Sequence, residues 1–100
     1  MPYGLKDEVV AEINSILSRF PQVDQAILFG SRAMGNYKNG SDIDLTLLGH
    51  DLSLNILSQI SNILDDSYLP YTFDLSLYEQ IENCDLINHI GRVGISFYKK

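Results

Sequence analysis

Residues 42–48 read Asp-Ile-Asp-Leu-Thr-Leu-Leu, with two carboxylates two positions apart in a run that is otherwise mostly apolar. On a strand, side chains two apart point the same way. Asp42 and Asp44 therefore share one face, and Ile43, Leu45 and Leu47 enter a core from the other. The segment asks for a sheet that is covered on one side and open to polar chemistry on the other. Two neighbouring carboxylates also raise each other's cost of ionisation. Divalent cations remove that conflict, and Mg²⁺ is commonly held by one or two carboxylates together with substrate phosphates.

The surrounding pattern supplies the rest of such a sheet. Leu5, Val9, Ile13, Ile16, Leu17 and Phe20 recur at three- and four-residue steps, which predicts a helix over 5–20 that Pro21 stops. Ala26 to Phe29 reads as a short buried strand ending at Gly30, and Ile43 to Leu48 as a second. Ser53 to Leu64 predicts another amphipathic helix, with Ser53 as its N-cap and Leu54, Leu57, Ile60, Ile63 and Leu64 as its apolar set. Tyr71 to Leu77 alternates cleanly: Tyr71, Phe73, Leu75 and Leu77 on one face, Thr72, Asp74 and Ser76 on the other. Leu86 to Val93 reads as a helix broken at Gly91 or Gly94, and Ile95 to Tyr98 as a last strand or extended tail. The order of elements predicts an α/β sandwich with helices mainly on one side.

Asp74 lies mid-strand on a polar face. If strand 43–48 pairs with strand 71–77, Asp42, Asp44 and Asp74 converge on one sheet face as a half-built cage, its missing ligands being phosphate oxygens and water. Two metals ~4 Å apart can stabilise both oxygens of an in-line displacement at phosphorus. Gly30-Ser31 offers the other half of a site. A glycine at a strand end lets the backbone approach a ligand closely, a helical turn from Ser31 would aim amides at a phosphate, and the Ser31 hydroxyl adds a donor. As a lone pair, Asp42 and Asp44 read equally well as a turn residue and an exposed strand residue, while for Asp74 a solvated strand position is the lesser reading.

A chain of 100 residues argues for one domain, 1–100. Its net charge of −6, from 13 acidic and seven basic residues, argues against nonspecific nucleic-acid binding. No apolar stretch reaches the ~20 residues of a membrane span. Met1 to Lys6 lacks the apolar run of a secretory signal, so a cytoplasmic protein is expected. Cys84 is the sole cysteine, which excludes an internal disulfide and reads as a small buried hydrophobe. His50 and His89 lack metal-ligand spacing and read as ordinary. Tyr37 and Lys38 read as solvated loop residues. Arg32 divides evenly between a structural pairing and a phosphate contact.

Gly30-Ser31, ten intervening residues, then Asp42-x-Asp44 resembles the signature of the DNA polymerase β-type nucleotidyltransferase superfamily. The fuller string Gly30-Ser31-Arg32-Ala33-x-Gly35 followed by Ser41-Asp42-Ile43-Asp44-Leu45 is similar to its smallest branch, the minimal nucleotidyltransferases or MNT domains that pair with HEPN-domain partners. The resemblance implies a mixed β-sheet with helices mainly on one face and the carboxylate site on the other. It implies that Gly30 and Ser31 hold the triphosphate, with Arg32 a candidate beside them. Asp42 and Asp44 would bind two Mg²⁺ ions, or Mn²⁺, and Asp74 would complete the metal site and help activate the attacking hydroxyl. Many relatives carry Arg where this chain has Met34, a departure that removes one phosphate contact and leaves the metal ligands untouched.

The activity implied is transfer of a nucleoside monophosphate, AMP from ATP, to a hydroxyl of a HEPN-domain toxin, with this chain as the antitoxin. Two alternatives stand beside it: an antitoxin that masks its partner by binding, and a small-molecule transferase of the antibiotic-modifying kind. The latter usually adds an acceptor domain for which 100 residues leave no room. A homodimer and a hetero-oligomer with the partner both remain open.

Overall fold

The computed structural model describes residues 2–100. Helix α1 (Asp7–Ser18) carries Asp7 and Glu8 in its first turn, where carboxylates complement the helix dipole. It buries Ile13, Ile16 and Leu17. The helix starts two residues later than the apolar spacing predicts, because Lys6 is extended (φ −68°, ψ 153°). Leu5 is fully buried all the same, so its side chain joins the core from outside the helix.

Strand β1 (Val23–Phe29) begins three residues earlier than expected and occupies the interior of a four-stranded sheet. It pairs antiparallel with β2 (Ile43–Gly49) on one side and with β4 (Ile95–Lys99) on the other. The terminal Ile95–Tyr98 segment is thus a true strand. β2 in turn pairs in parallel with β3 (Phe73–Leu77), giving the order β3-β2-β1-β4. The parallel step is bridged by α3 (Leu54–Asp66), whose N-cap Ser53 accepts the Ile56 amide at 3.2 Å. Between β1 and β2 lies a single-turn helix, α2 (Ser31–Met34), and after β3 comes α4 (Cys84–Val93), capped by the Asn83 side chain.

The main core lies on one face of the sheet. Ala26 and Leu28 from β1, and Ile43, Leu45 and Leu47 from β2, meet Ile13, Ile16 and Leu17 of α1 and Ile60 and Leu64 of α3. Each fully buried aliphatic side chain contributes about 2 kcal/mol. A one-residue slip of β2 would expose Ile43, Leu45 and Leu47 and push Asp44 and Thr46 into hydrocarbon. That slip forfeits about 6 kcal/mol before any charge is desolvated, a large share of a domain's margin. The core therefore dictates which face the carboxylates occupy. α4 sits apart on that second face: a Cβ at Gly94 would run against Ile27, and His89 stands edge-on to Phe29.

Two expectations of burial are corrected as well. Cys84 is exposed, because it opens α4 on the solvent side of the Asn83 cap. Leu54, counted in the apolar face of α3, is 61% exposed, since it stands in the first turn beyond the edge of the sheet-facing stripe. Among the described residues no helix is long and apolar enough to cross a membrane.

Candidate active site

β1 ends at Phe29, and the chain turns sharply at Gly30 (φ 77°, ψ −155°) into α2. Gly30 serves two needs. Its positive φ is costly for residues with a Cβ, and a Cβ placed there would strike the Asp44 carboxylate. Bonds from the Met34 amide to the Gly30 carbonyl (3.1 Å) and from the Gly35 amide to the Ser31 carbonyl (3.0 Å) close the turn. The first helical amides, those of Ser31, Arg32 and Ala33, have no carbonyl within the helix to bond to.

The carboxylates follow from the sheet register. Phe29 pairs with Asp44 across β1–β2, and Asp44 pairs with Asp74 across the parallel β2–β3 ladder. In-register neighbours on adjacent strands share a face at a strand spacing of ~4.8 Å. Asp44 is half-buried and Asp74 exposed, while Asp42 stands exposed just before β2 begins. Burial, then the Asp74 and Asp42 charges, push the Asp44 carboxyl above its ordinary value of 3.8. Among the described residues no three His, Cys, Asp or Glu side chains close into a tight ligand cage. Asp44 nonetheless lies close enough to Asp74 and Asp42 for their charges to raise its carboxyl.

Behind this pair, Thr46 and Ser76 are the next register partners on the same face, with the Thr46 hydroxyl 3.5 Å from the Ser76 carbonyl. An all-oxygen set of mutually repelling carboxylates suits a hard divalent cation such as Mg²⁺ or Mn²⁺.

Arg32 does not face this site. It is 3% exposed. Nε and Nη2 donate to the Ser41 carbonyl (3.2 and 2.9 Å), and Nη1 donates to the Tyr3 carbonyl (2.9 Å). The guanidinium also lies over the rings of Tyr37 (5.4 Å) and Tyr71 (5.1 Å). Of the two roles read from the sequence, the geometry matches the structural one. Three of its N–H donors go to carbonyls, and its planar fork ties Ser41, the residue before Asp42, to the helix that follows Gly30. Arg32 thus holds the two halves of the motif together. Tyr37 is exposed in its loop, as read from the sequence, and one side of its ring lies against that guanidinium. Met34 is 49% exposed at the end of α2.

His89 is the site residue that sequence reasoning missed. Its Nε2 accepts the Gly30 amide at 3.1 Å. Its spacing from Leu86 and Val93 places it on the inward stripe of α4. That signal was available in the sequence, but the strand end it meets was not.

A family model described as Polymerase beta, Nucleotidyltransferase matches residues 11–100. The comparison with curated proteins finds no match. Among solved structures, a chain of a toxin–antitoxin complex with AMP-PNP aligns with a TM-score of 0.73 at 22% identity, over 96% of this chain and 75% of that one. A complex of tri-AMPylated Shewanella oneidensis HEPN toxin with MNT antitoxin contains a chain similar at a TM-score of 0.63 and 18% identity, over 96% of this chain and 74% of that one. The MntA-HepT toxin–antitoxin complex gives a TM-score of 0.63 and 20% identity, over 95% and 74%. At such identities these likenesses speak for the fold. The family model does more, because it spans the glycine–serine turn and all three aspartates, and the chain belongs to the polymerase β-type nucleotidyltransferases.

Proposed function

We propose that the chain transfers AMP from ATP to a hydroxyl of a HEPN-domain partner protein, acting in the cytoplasm as the antitoxin of a toxin–antitoxin pair. The observation that carries this reading is the register pairing of Asp44 with Asp74 beside the Gly30–Ser31 turn. It sets an acidic, oxygen-only donor set next to a backbone turn suited to phosphate. The choice of AMP and of a HEPN acceptor draws support from the solved complexes of similar fold, one with AMP-PNP and one whose HEPN toxin is tri-AMPylated.

In this reading Gly30 and Ser31 hold the triphosphate, and Asp42, Asp44 and Asp74 hold two Mg²⁺ ions, with Mn²⁺ as a substitute. Bound cations would screen carboxylate from phosphate and stabilise charge on the attacking and leaving oxygens. The acceptor oxygen bonds to the α-phosphorus, the α–β phosphoanhydride breaks, and pyrophosphate leaves. Asp74, the more exposed member of the register pair, takes the acceptor's hydroxyl proton. Arg32 serves by keeping Asp42 close to the turn. The product on the partner carries a new negative charge, which disfavours RNA approach at a ribonuclease site.

The test uses labelled ATP, Mg²⁺ and a HEPN protein encoded beside this chain. The partner should gain the mass of one or more AMP groups and stay inhibited after this protein is removed. Asp42→Asn should still bind the partner yet fail to protect at substoichiometric amounts. Protection equal to wild type by that variant would show that the chain acts by contact alone.

A further inference from the structure

We infer that His89 is a positioning residue, which anchors the Gly30 backbone at a set distance from Asp44 and so aligns the phosphate-holding turn with the carboxylates. The inference rests on the nucleotidyl-transfer reading above, and it concerns a residue outside the motif that carries that reading.

Three observations converge. First, the Gly30 amide donates to His89 Nε2 at 3.1 Å, across 59 residues of sequence. The β1–β4 ladder ends at the pair Leu28 and Ile95, so the strand itself supplies no partner at Gly30. A half-buried amide at this point needs an acceptor, and α4 delivers one. Secondly, Gly30 is bounded on its other side by Asp44, whose carboxylate fills the place a Cβ would take. The glycine backbone is therefore held between an imidazole and a carboxylate. Thirdly, the imidazole is itself fixed. It stands edge-on to Phe29, with centroids 6.2 Å apart and planes at 81°, and Phe29 is the register partner of Asp44.

Ring, turn and carboxylate are thus joined by two routes, one through the amide and one through the strand pair. Glycine at this position brings backbone freedom, and the His89 bond removes it. The Nε2 acceptor requires the neutral ring with its proton on Nδ1. This has a kinetic consequence. A displacement of about 1 Å between reacting groups costs up to about a hundredfold in rate. Loss of the anchor should therefore fall on kcat, since the turn still offers its amides to ATP, and spare the KM for ATP.

The experiment compares His89→Gln, His89→Asn and His89→Leu with wild type in the transfer assay and by amide hydrogen exchange at Gly30. The Gln side-chain oxygen reaches about as far as Nε2, whereas the Asn oxygen reaches only as far as Nδ1. His89→Leu and His89→Asn should lose about 10- to 100-fold in kcat, with KM for ATP within about threefold. His89→Gln should return to within about threefold of wild type. The Gly30 amide should exchange at least about tenfold faster in the Leu and Asn variants than in wild type or the Gln variant.

Unchanged kcat in His89→Leu, or equal kcat in all three variants, overturns the inference. A wild-type protein that transfers nothing counts against the proposed function instead, and the Gly30 exchange then decides on the anchor alone: equal rates in wild type and His89→Leu rule it out.

Discussion

On the face of the sheet that carries α1 and α3, the inward positions of β1 and β2 are sealed hydrocarbon: Ala26, Leu28, Ile43, Leu45 and Leu47 are at most 1% exposed. On the opposite face the same strands present Phe29, Asp44 and Thr46, and β3 adds Asp74 and Ser76. α4 covers part of it. The first face buries every side chain it can. The second leaves carboxylates close together, and one of them is held above its ordinary pKa. Because strand side chains alternate, the two faces are separated by a single step in sequence. Ile43 and Leu45 stabilise the domain, and Asp44 between them destabilises it in the absence of metal. A protein that tolerates such a residue gains something other than stability from it.

Breaking the second face should abolish chemistry and leave the fold alone. Asp44→Asn is expected to slow transfer about a thousandfold or more, because it removes a charged ligand and no core contact. Partner labelling and a melting curve measure the two effects separately. A melting temperature that drops as far as the activity would make Asp44 a structural residue and erase the contrast between the faces.

Breaking the first face should do the reverse. Leu45→Ala deletes a fully buried side chain between α1, α3 and β1, and should cost about 3 kcal/mol in urea unfolding. Its transfer rate per folded molecule should stay close to wild type at low temperature, since Asp44 and Asp74 keep their register. A rate that falls in step with the core would mean the faces are not separable.

Arg32 belongs to neither face, and it sharpens the comparison from the side. Arg32→Lys keeps the charge and loses the fork that reaches the Ser41 and Tyr3 carbonyls together. A loss of about 2 kcal/mol is expected. Transfer should also fall, because Ser41 and hence Asp42 are no longer tied to α2. If Arg32→Lys weakened ATP binding with no loss of stability, the phosphate role would be the correct one.

These effects also mark what the sequence could and could not disclose. The alternation in Tyr71–Leu77 and the Asp42-x-Asp44 spacing place side chains on strand faces, and local periodicity suffices for that. The Ser53 cap is equally local. The parallel pairing of β2 with β3 was needed to bring Asp74 beside Asp44, and it entered the sequence reading as a condition. Arg32 could not be decided, because its partners, Tyr3, Tyr37 with Ser41, and Tyr71, come from three separate stretches of chain. His89 was passed over for the same reason: a lone histidine on a helix carries no sign of the strand end it will meet. Cys84 was misread because residue type alone favours burial, whereas a place next to a helix cap favours exposure.

The smallest effect concerns the charge of Asp44 itself. Its carboxyl is pushed above 3.8 by burial and by Asp74 and Asp42, so the folded protein binds this proton more tightly than the unfolded chain does. Below 3.8 both states are protonated, and the group is neutral in the balance. As the pH rises, the unfolded chain gives up the proton first, and folding stability falls until the raised folded value has been passed. Above it the loss is constant. Asp44→Asn carries no such proton. In metal-free buffer the variant should match wild type below pH 3.8 and exceed it slightly at neutral pH, since solvent screens a half-exposed group. Mg²⁺ with ATP should then reverse the order, since only the wild type has a complete site, and the folded state gains by mass action. Denaturant titrations at acid and neutral pH, each with chelator and with Mg²⁺–ATP, measure all four corners. A variant that is less stable than wild type at neutral pH without metal would mean that Asp44 holds the fold by a contact that outweighs its repulsion, and the second face would then be built for stability like the first.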